Sequence, residues 1–186
     1  MISIFTFLLS CSFQKYPSIF METKLGIIQI ELYPEKAPIT SANFLRYIDE
    51  KRYQNAYFYR VVHMQNQPEN NIKIEVIQGG LGSENNSEEL PPIIHETTLK
   101  TGIKHKNGIV SMARLEPGTA SSEIFICIND QPELDYGGLR NPDGQGFAAF
   151  GKVVSGMDVI RKIQQLPEKN QILEKHIDII NIYREK

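Results

Sequence analysis

Short runs of alternating apolar and polar residues recur along most of this chain, and turn-forming residues close each run. Residues 23–32 carry Leu25, Ile27 and Leu32 with Ile28 and Ile30 between them. Ile72, Ile74 and Val76 alternate with Lys73 and Glu75 and lead into Gly79-Gly80. Similar runs fill 56–62, 109–113, 123–128, 147–154 and 176–183. A period of two residues is the mark of strands with one face buried. Only two stretches follow a helical period. One has Ala42, Phe44, Leu45, Tyr47 and Ile48 behind Pro38 and the capping residues Thr40 and Ser41. The other has Met157, Val159, Ile160, Ile163 and Leu166, and Pro167 ends it. Residues 63–71, 81–107 and 130–146 are rich in turn-forming and polar residues and read as loops. About eight strands with two helices predict a mainly β fold, and closure into a barrel would remove exposed sheet edges. Spacing alone does not choose between a barrel and a sandwich.

The 186 residues suffice for one well-packed domain and are too few for two of ordinary size. A net charge of −2 offers no basic field for nucleic acid, so no nucleic-acid partner is expected. Two cysteines are too few for a disulfide scaffold, and Cys127, inside Ile124-Phe125-Ile126-Cys127-Ile128, reads as a buried thiol. His63, His95, His105 and His176 lack zinc-ligand spacing and read as loop or surface residues. Gly79-Gly80-Leu81-Gly82 is not followed by the Lys-Ser/Thr of a phosphate loop, and Asp143-Gly144 reads as a turn. Ser121-Ser122 has no His and Asp at a recognisable hydrolase spacing. No metal and no cofactor are expected.

Residues 1–10 are free of charged side chains and too short a run to span a bilayer, and they fit the apolar core of a secretory signal. Leu8-Leu9-Ser10-Cys11 resembles the lipobox of bacterial lipoproteins. That resemblance implies cleavage before Cys11, lipidation of Cys11, a short tether over 11–20, a folded domain over 21–186 and a place in the cell envelope. The Lys or Arg that usually precedes such a run is absent. The alternative is an apolar N-terminus on a cytoplasmic protein.

Five blocks stand in a fixed order: Phe58-Tyr59-Arg60-Val61-Val62, Ile77-Gln78-Gly79-Gly80, Gly108-Ile109-Val110-Ser111-Met112-Ala113, Ile124-Phe125-Ile126 and Ala149-Phe150-Gly151-Lys152-Val153. Together they resemble the cyclophilins, the peptidyl-prolyl cis–trans isomerases, over residues 22–184. Met112-Ala113-Arg114 and the run from Gly146 to Lys152 have a bacterial flavour. The resemblance implies an eight-stranded antiparallel closed barrel with a helix at each end, no cofactor, and proline-containing polypeptides as partners. A monomer is expected. It also implies that Arg60 is catalytic, that Gln78 orients the substrate backbone, and that Phe125, Ala113 and Leu134 line the proline pocket. Met112 is expected in the core.

Several positions depart from the family pattern. Counting back from Gln78, Glu75 stands where a pocket phenylalanine is usual; Glu123 replaces a glutamine, Glu133 an aromatic residue, and Phe147 a histidine or tyrosine. Three acidic side chains are therefore expected to rim the groove, with Glu75 and Glu123 touching the substrate beside Phe147. An isomerase acting on exported proteins is one reading. A proline-binding module with little catalysis is the other, because a carboxylate beside Arg60 would pair with it. The extra residues at 63–71 would instead bring Val76 or Ile74 into the pocket.

Overall fold

The computed structural model describes residues 16–82 and 86–185. The expected signal segment and Cys11 lie outside the described residues. The chain forms strands β1 (Ser18–Thr23), β2 (Gly26–Leu32), β3 (Tyr57–Val62), β4 (Val76–Gly80), β5 (Ile109–Met112), β6 (Ile124–Cys127), β7 (Ala148–Ser155), β8 (Glu168–Lys169) and β9 (Ile172–Arg184). Helices are α1 (Pro38–Asp49), α2 (Thr98–Thr101) and α3 (Met157–Gln164). All pairings are antiparallel, in the order β1-β2-β7-β5-β6-β4-β3-β9, and β1 pairs with β9 to close an eight-stranded barrel. β8 is a two-residue flap on β9. Among the described residues no helix is long and apolar enough to cross a membrane.

The barrel and its two longer helices agree with the sequence expectation; α2 is a single extra turn inside the long 81–107 excursion. The fold begins earlier than expected. Residues 18–20, read as the end of a tether, belong to β1, where Ile19 and Met21 are fully buried while Phe20 is half-exposed. The hairpin partner β2 buries Ile28, Ile30 and Leu32 and turns Ile27 to solvent.

The barrel interior is filled from both ends. Phe44 and Tyr47 on α1 are fully buried, and Phe44 packs on Phe150 of β7 and on Tyr53. α3 contributes Val159, Ile160 and Ile163. Its start depends on Gly156: φ is +92°, and a Cβ there would lie 2.4 Å from the Ile27 carbonyl oxygen. Glycine alone meets both demands cheaply. At the C-terminal end of α3, Gln164 Nε2 donates to the Val62 carbonyl at 3.0 Å and ties the helix to β3.

A second apolar cluster sits apart from this core. It joins Val62, Ile74, Val76, Phe125, Cys127 and Leu134, with Ala113 and Phe147 packed against it. Such a satellite cluster forms where long loops cover the outside of a sheet.

Candidate active site

Four neighbouring strands place the key side chains in one row. Arg60 pairs with Gln78, Gln78 with Phe125, and Phe125 with Ser111 across β3, β4, β6 and β5. A bulge in β3 sets the first of them. The register slips between Phe58 and Arg60 against both β4 and β9. Phe58 points into the barrel and is fully buried, whereas the next two residues, Tyr59 and Arg60, both reach the Gln78 side chain outside it. In a regular strand consecutive side chains face opposite ways; a bulge re-aims one.

The row opens on a cavity of about 290 Å³ lined by Arg60, Gln78, Ile74, Val76, Ala113 and Phe125, closed by Leu134, Phe147, Arg114, Leu115, Arg140 and Asn141. Phe125 meets Phe147 edge to face at 5.1 Å, and the Arg114 guanidinium lies over the Phe147 ring at 5.2 Å. Arg60, Gln78, Ala113, Phe125, Leu134 and Phe147 are thus brought together. Met112 is fully buried in the barrel core.

Arg60 is held on two sides. Its Nη1 donates to Gln78 Oε1 at 2.8 Å, while Nε and Nη2 donate to Gln171 Oε1 at 3.1 and 2.6 Å. A guanidinium has five N–H donors, so one N–H on each Nη keeps no partner among the described residues. Burial pulls the Arg60 pKa below its ordinary value, with Tyr59 opposing, and the group remains a cation at neutral pH. Gln78 Nε2 donates to the Tyr59 hydroxyl at 2.8 Å, which donates to Glu123 Oε2 at 2.7 Å. Burial, then the charge and hydrogen bond of Glu123, push the Tyr59 pKa well above the usual phenol value.

The acidic rim does not form. Glu75 and Glu123, expected to touch the substrate, both lie outside the cavity. Val76 and Gln78 share one face of β4, Ile74 just before the strand lines the same cavity, and Glu75 turns away to where Oε2 accepts from Asn129 Nδ2 at 2.8 Å. Glu123 is spent on Tyr59, on the Gly82 amide at 2.9 Å and on Ser122 Oγ at 3.1 Å. It lines a separate cavity of about 780 Å³ with Tyr57, Tyr59 and His176. Glu133 accepts from the Leu139 amide at 2.9 Å and so shapes its own loop. The pocket wall falls to Ile74 and Val76 instead. Gln67, buried in the 63–71 loop, clamps Ile74 by donating to its carbonyl at 2.8 Å and accepting from its amide at 3.2 Å.

His105 lies in a loop, as expected, but not at the surface. Its side chain is completely buried and stacks behind Phe125 at 5.9 Å. Nδ1 lies 2.8 Å from Asp135 Oδ1 and Nε2 lies 3.0 Å from Ser111 Oγ. The connectivity is that of a hydrolase triad, yet Ser111 is fully buried, so no substrate reaches its hydroxyl. The chain of bonds braces the pocket floor. Burial lowers the His105 pKa against the pull of Asp135. Against the upward push of burial, the His105 hydrogen bonds hold Asp135 below its ordinary value. Cys127 is buried, and desolvation drives its thiol pKa far up, as expected for an inert side chain. Among the described residues no group of three His, Cys, Asp or Glu is placed to hold a metal ion.

Two further residues escaped the sequence reading. Gln171 belongs to the turn Asn170-Gln171 between β8 and β9, where φ is +54° and +72°. Positive φ at both central residues is the hairpin turn usually written with glycine, and the absence of glycine hides it. Arg140 enters from the 130–146 loop, and only its charge within a turn-rich segment distinguishes it.

A closed antiparallel barrel that carries an apolar cavity on its outer wall, beside an arginine pinned by two amides, defines a cyclophilin-like protein. Comparison with known proteins agrees. The family model of the cyclophilin type peptidyl-prolyl cis-trans isomerases matches residues 18–184. A peptidyl-prolyl cis-trans isomerase of Acinetobacter baylyi is 35% identical over 161 residues, covering 84% of this chain and 77% of the relative. The peptidyl-prolyl cis-trans isomerase B of Escherichia coli is 33% identical over 167 residues, covering 82% and 93%. A crystal structure of a cyclophilin type peptidyl-prolyl cis-trans isomerase of Cryptosporidium parvum, solved in the presence of the dipeptide Ala-Pro, superposes with a TM-score of 0.71 at 23% identity over 91% of this chain and 99% of that one. The chain belongs to the cyclophilin-type peptidyl-prolyl cis–trans isomerase family.

Proposed function

We propose that this chain accelerates rotation about X–Pro bonds in polypeptides and so assists protein folding. Amide resonance sets the barrier at about 18–20 kcal/mol, and uncatalysed exchange takes tens of seconds or more. Catalysis needs only that the twisted amide be bound more tightly than the planar one. On twisting, the prolyl nitrogen loses conjugation and gains a lone pair. The two uncommitted N–H groups of Arg60 supply the donor for it, and Gln78 orients the adjoining backbone. Phe125, Phe147, Leu134, Ala113, Ile74 and Val76 hold the ring in place of water. No bond to carbon is made or broken, so no nucleophile enters.

The observation that carries this reading is the immobilised Arg60 guanidinium at the mouth of the apolar cavity. A donor fixed before reaction loses little freedom during it. The three carboxylates that would favour a binding module without catalysis lie outside the cavity, which supports the isomerase reading.

The setting we infer is extracytoplasmic, with a monomeric domain tethered through lipidated Cys11; Leu8-Leu9-Ser10-Cys11 supports it. The test of the activity is refolding of a protein limited by a proline step. The wild type should speed the slow phase and Arg60→Ala should not; equal acceleration by both, or by neither, would reject the catalytic role. Blocking lipoprotein signal cleavage in cells should shift the mass of the product, and an unchanged mass with a soluble product would reject the anchor.

A further inference from the structure

Three guanidinium groups line the proline cavity, and their charges are balanced unequally. Arg114 is neutralised: Nη1 and Nη2 donate to the two oxygens of Asp143 at 2.8 and 2.9 Å. Arg60 and Arg140 have no carboxylate partner among the described residues. Arg60 bonds two amide oxygens, as described above. Arg140 Nη1 donates to Gln67 Oε1 at 3.1 Å and to the Ile72 carbonyl at 2.6 Å, both neutral.

Arg140 is also presented with care. Its amide donates to the Glu133 carbonyl at 3.2 Å, and Glu133 Oε2 accepts from the neighbouring Leu139 amide. At Gly138 a Cβ would lie 2.4 Å from the same Glu133 carbonyl oxygen, so the loop closes tightly at that point. With Nη1 committed to Gln67 and Ile72, the Nε and Nη2 edge stays without a partner among the described residues. That edge is the fork that receives a carboxylate through two parallel hydrogen bonds. Burial, and after it the Arg60 charge, lowers the pKa of the half-buried Arg140. Two uncompensated cations in one small cavity repel each other, and an anion between them relieves the repulsion.

We propose that the cavity selects a carboxylate carried by the polypeptide next to its proline, with Arg140 as the specificity-determining contact. This rests on the proline-site reading of the cavity. The apolar floor takes the ring, Arg60 serves the prolyl amide, and Arg140 takes the acidic group. The expected preference is the reverse of the one an acidic rim would impose.

The test uses the full chain and end-blocked peptides with Glu, Gln or Lys on either side of one proline, plus a peptide ending in a free prolyl carboxylate. At low salt, kcat/KM for at least one Glu peptide should exceed that of its Gln counterpart by about tenfold, with Lys lowest. Added salt should shrink the ratio, because partly exposed charges are screened. In Arg140→Gln the Glu-to-Gln ratio should fall to about one, and Arg140→Lys should keep part of it. The ratio, not the absolute rate, is the readout, so loosening of the loop by either variant does not confuse it. A gain confined to the free-carboxylate peptide would uphold the anion site and assign it to chain ends. A ratio of one in the wild type, or a ratio unchanged in Arg140→Gln, would overturn the proposal. If no peptide is accelerated the isomerase reading fails, and the same ratio taken from peptide affinities still decides the carboxylate site.

Discussion

Gln171 holds Arg60 by a single oxygen: Oε1 accepts from Nε at 3.1 Å and from Nη2 at 2.6 Å, across 111 residues of chain. The glutamine is itself fastened at three points. Its amide donates to Glu168 Oε2 at 2.6 Å, its carbonyl accepts from the Val61 amide at 2.8 Å, and Nε2 donates to the Asn66 carbonyl at 3.2 Å. These bonds offset a left-handed backbone that costs about 1 kcal/mol or more for a residue with a side chain. The turn thereby fixes the Arg60 guanidinium in place.

Removing that restraint should cost rate more than affinity. Gln171→Leu deletes both hydrogen bonds that Oε1 accepts from the charged Arg60, each of a kind worth about 1.5–3 kcal/mol. We expect kcat to fall about tenfold with KM changed less than threefold, measured on an X–Pro peptide. An unaltered kcat would mean that Arg60 is oriented without Gln171. Gln171→Glu should pair with Arg60 and lower activity as well, whereas loss of fold alone would lower the melting temperature in step with activity.

Ile74 and Glu75 are neighbours with opposite assignments. Ile74 lines the cavity and Glu75 bonds Asn129 on the other side. Ile74→Ala should raise KM for proline peptides several-fold and lower stability by about 2–5 kcal/mol. Glu75→Ala should leave kcat/KM within about twofold. The reverse pattern in steady-state kinetics would place Glu75 in the pocket.

Stability should decline in mild acid. Burial lowers the pKa of both His105 and His95 from the ordinary 6.5. In the window below 6.5 the unfolded chain therefore binds more protons than the folded one, so stability falls as pH falls. The loss from Asp135 enters only lower, as pH drops through its depressed folded value, below the ordinary 3.8. Thermal melts between pH 7.5 and 5 should show the midpoint dropping by about 2–4 °C per kcal/mol lost. The slope should flatten in His105→Gln. A midpoint constant over that range would contradict neutral buried histidines.

Much of the site is legible in the sequence because strand registers carry it. Arg60, Gln78 and Phe125 sit on three paired strands, so placing the strands places the residues side by side. Of the two sequence alternatives for the pocket wall, Glu75 or Val76 and Ile74, the structure lines the cavity with the second pair. Arg140 and Gln171 were not legible, since each reaches the site from a loop whose path depends on distant partners, Glu133 for one and Val61 for the other. The burial of His105 within its loop is not legible, because nothing local announces Asp135, thirty residues away, or the stacking on Phe125. The start of β1 is obscured by its position after an apolar N-terminal run, so that residues 18–20, Ile19 among them, read as the end of a tether rather than as barrel wall.

A fixed Arg60 should speed X–Pro rotation in a peptide held by the Phe125 pocket. The most direct measurement is magnetisation exchange between the cis and trans forms of an Ala-Pro peptide at equilibrium, with wild type, Arg60→Lys and Arg60→Ala compared at equal peptide saturation. Lysine keeps the charge but not the fork that Gln78 and Gln171 hold. We predict strong acceleration by the wild type and a loss of about a hundredfold or more in both variants, with peptide affinity changed much less. Equal exchange rates for wild type and Arg60→Ala at saturation would contradict the account.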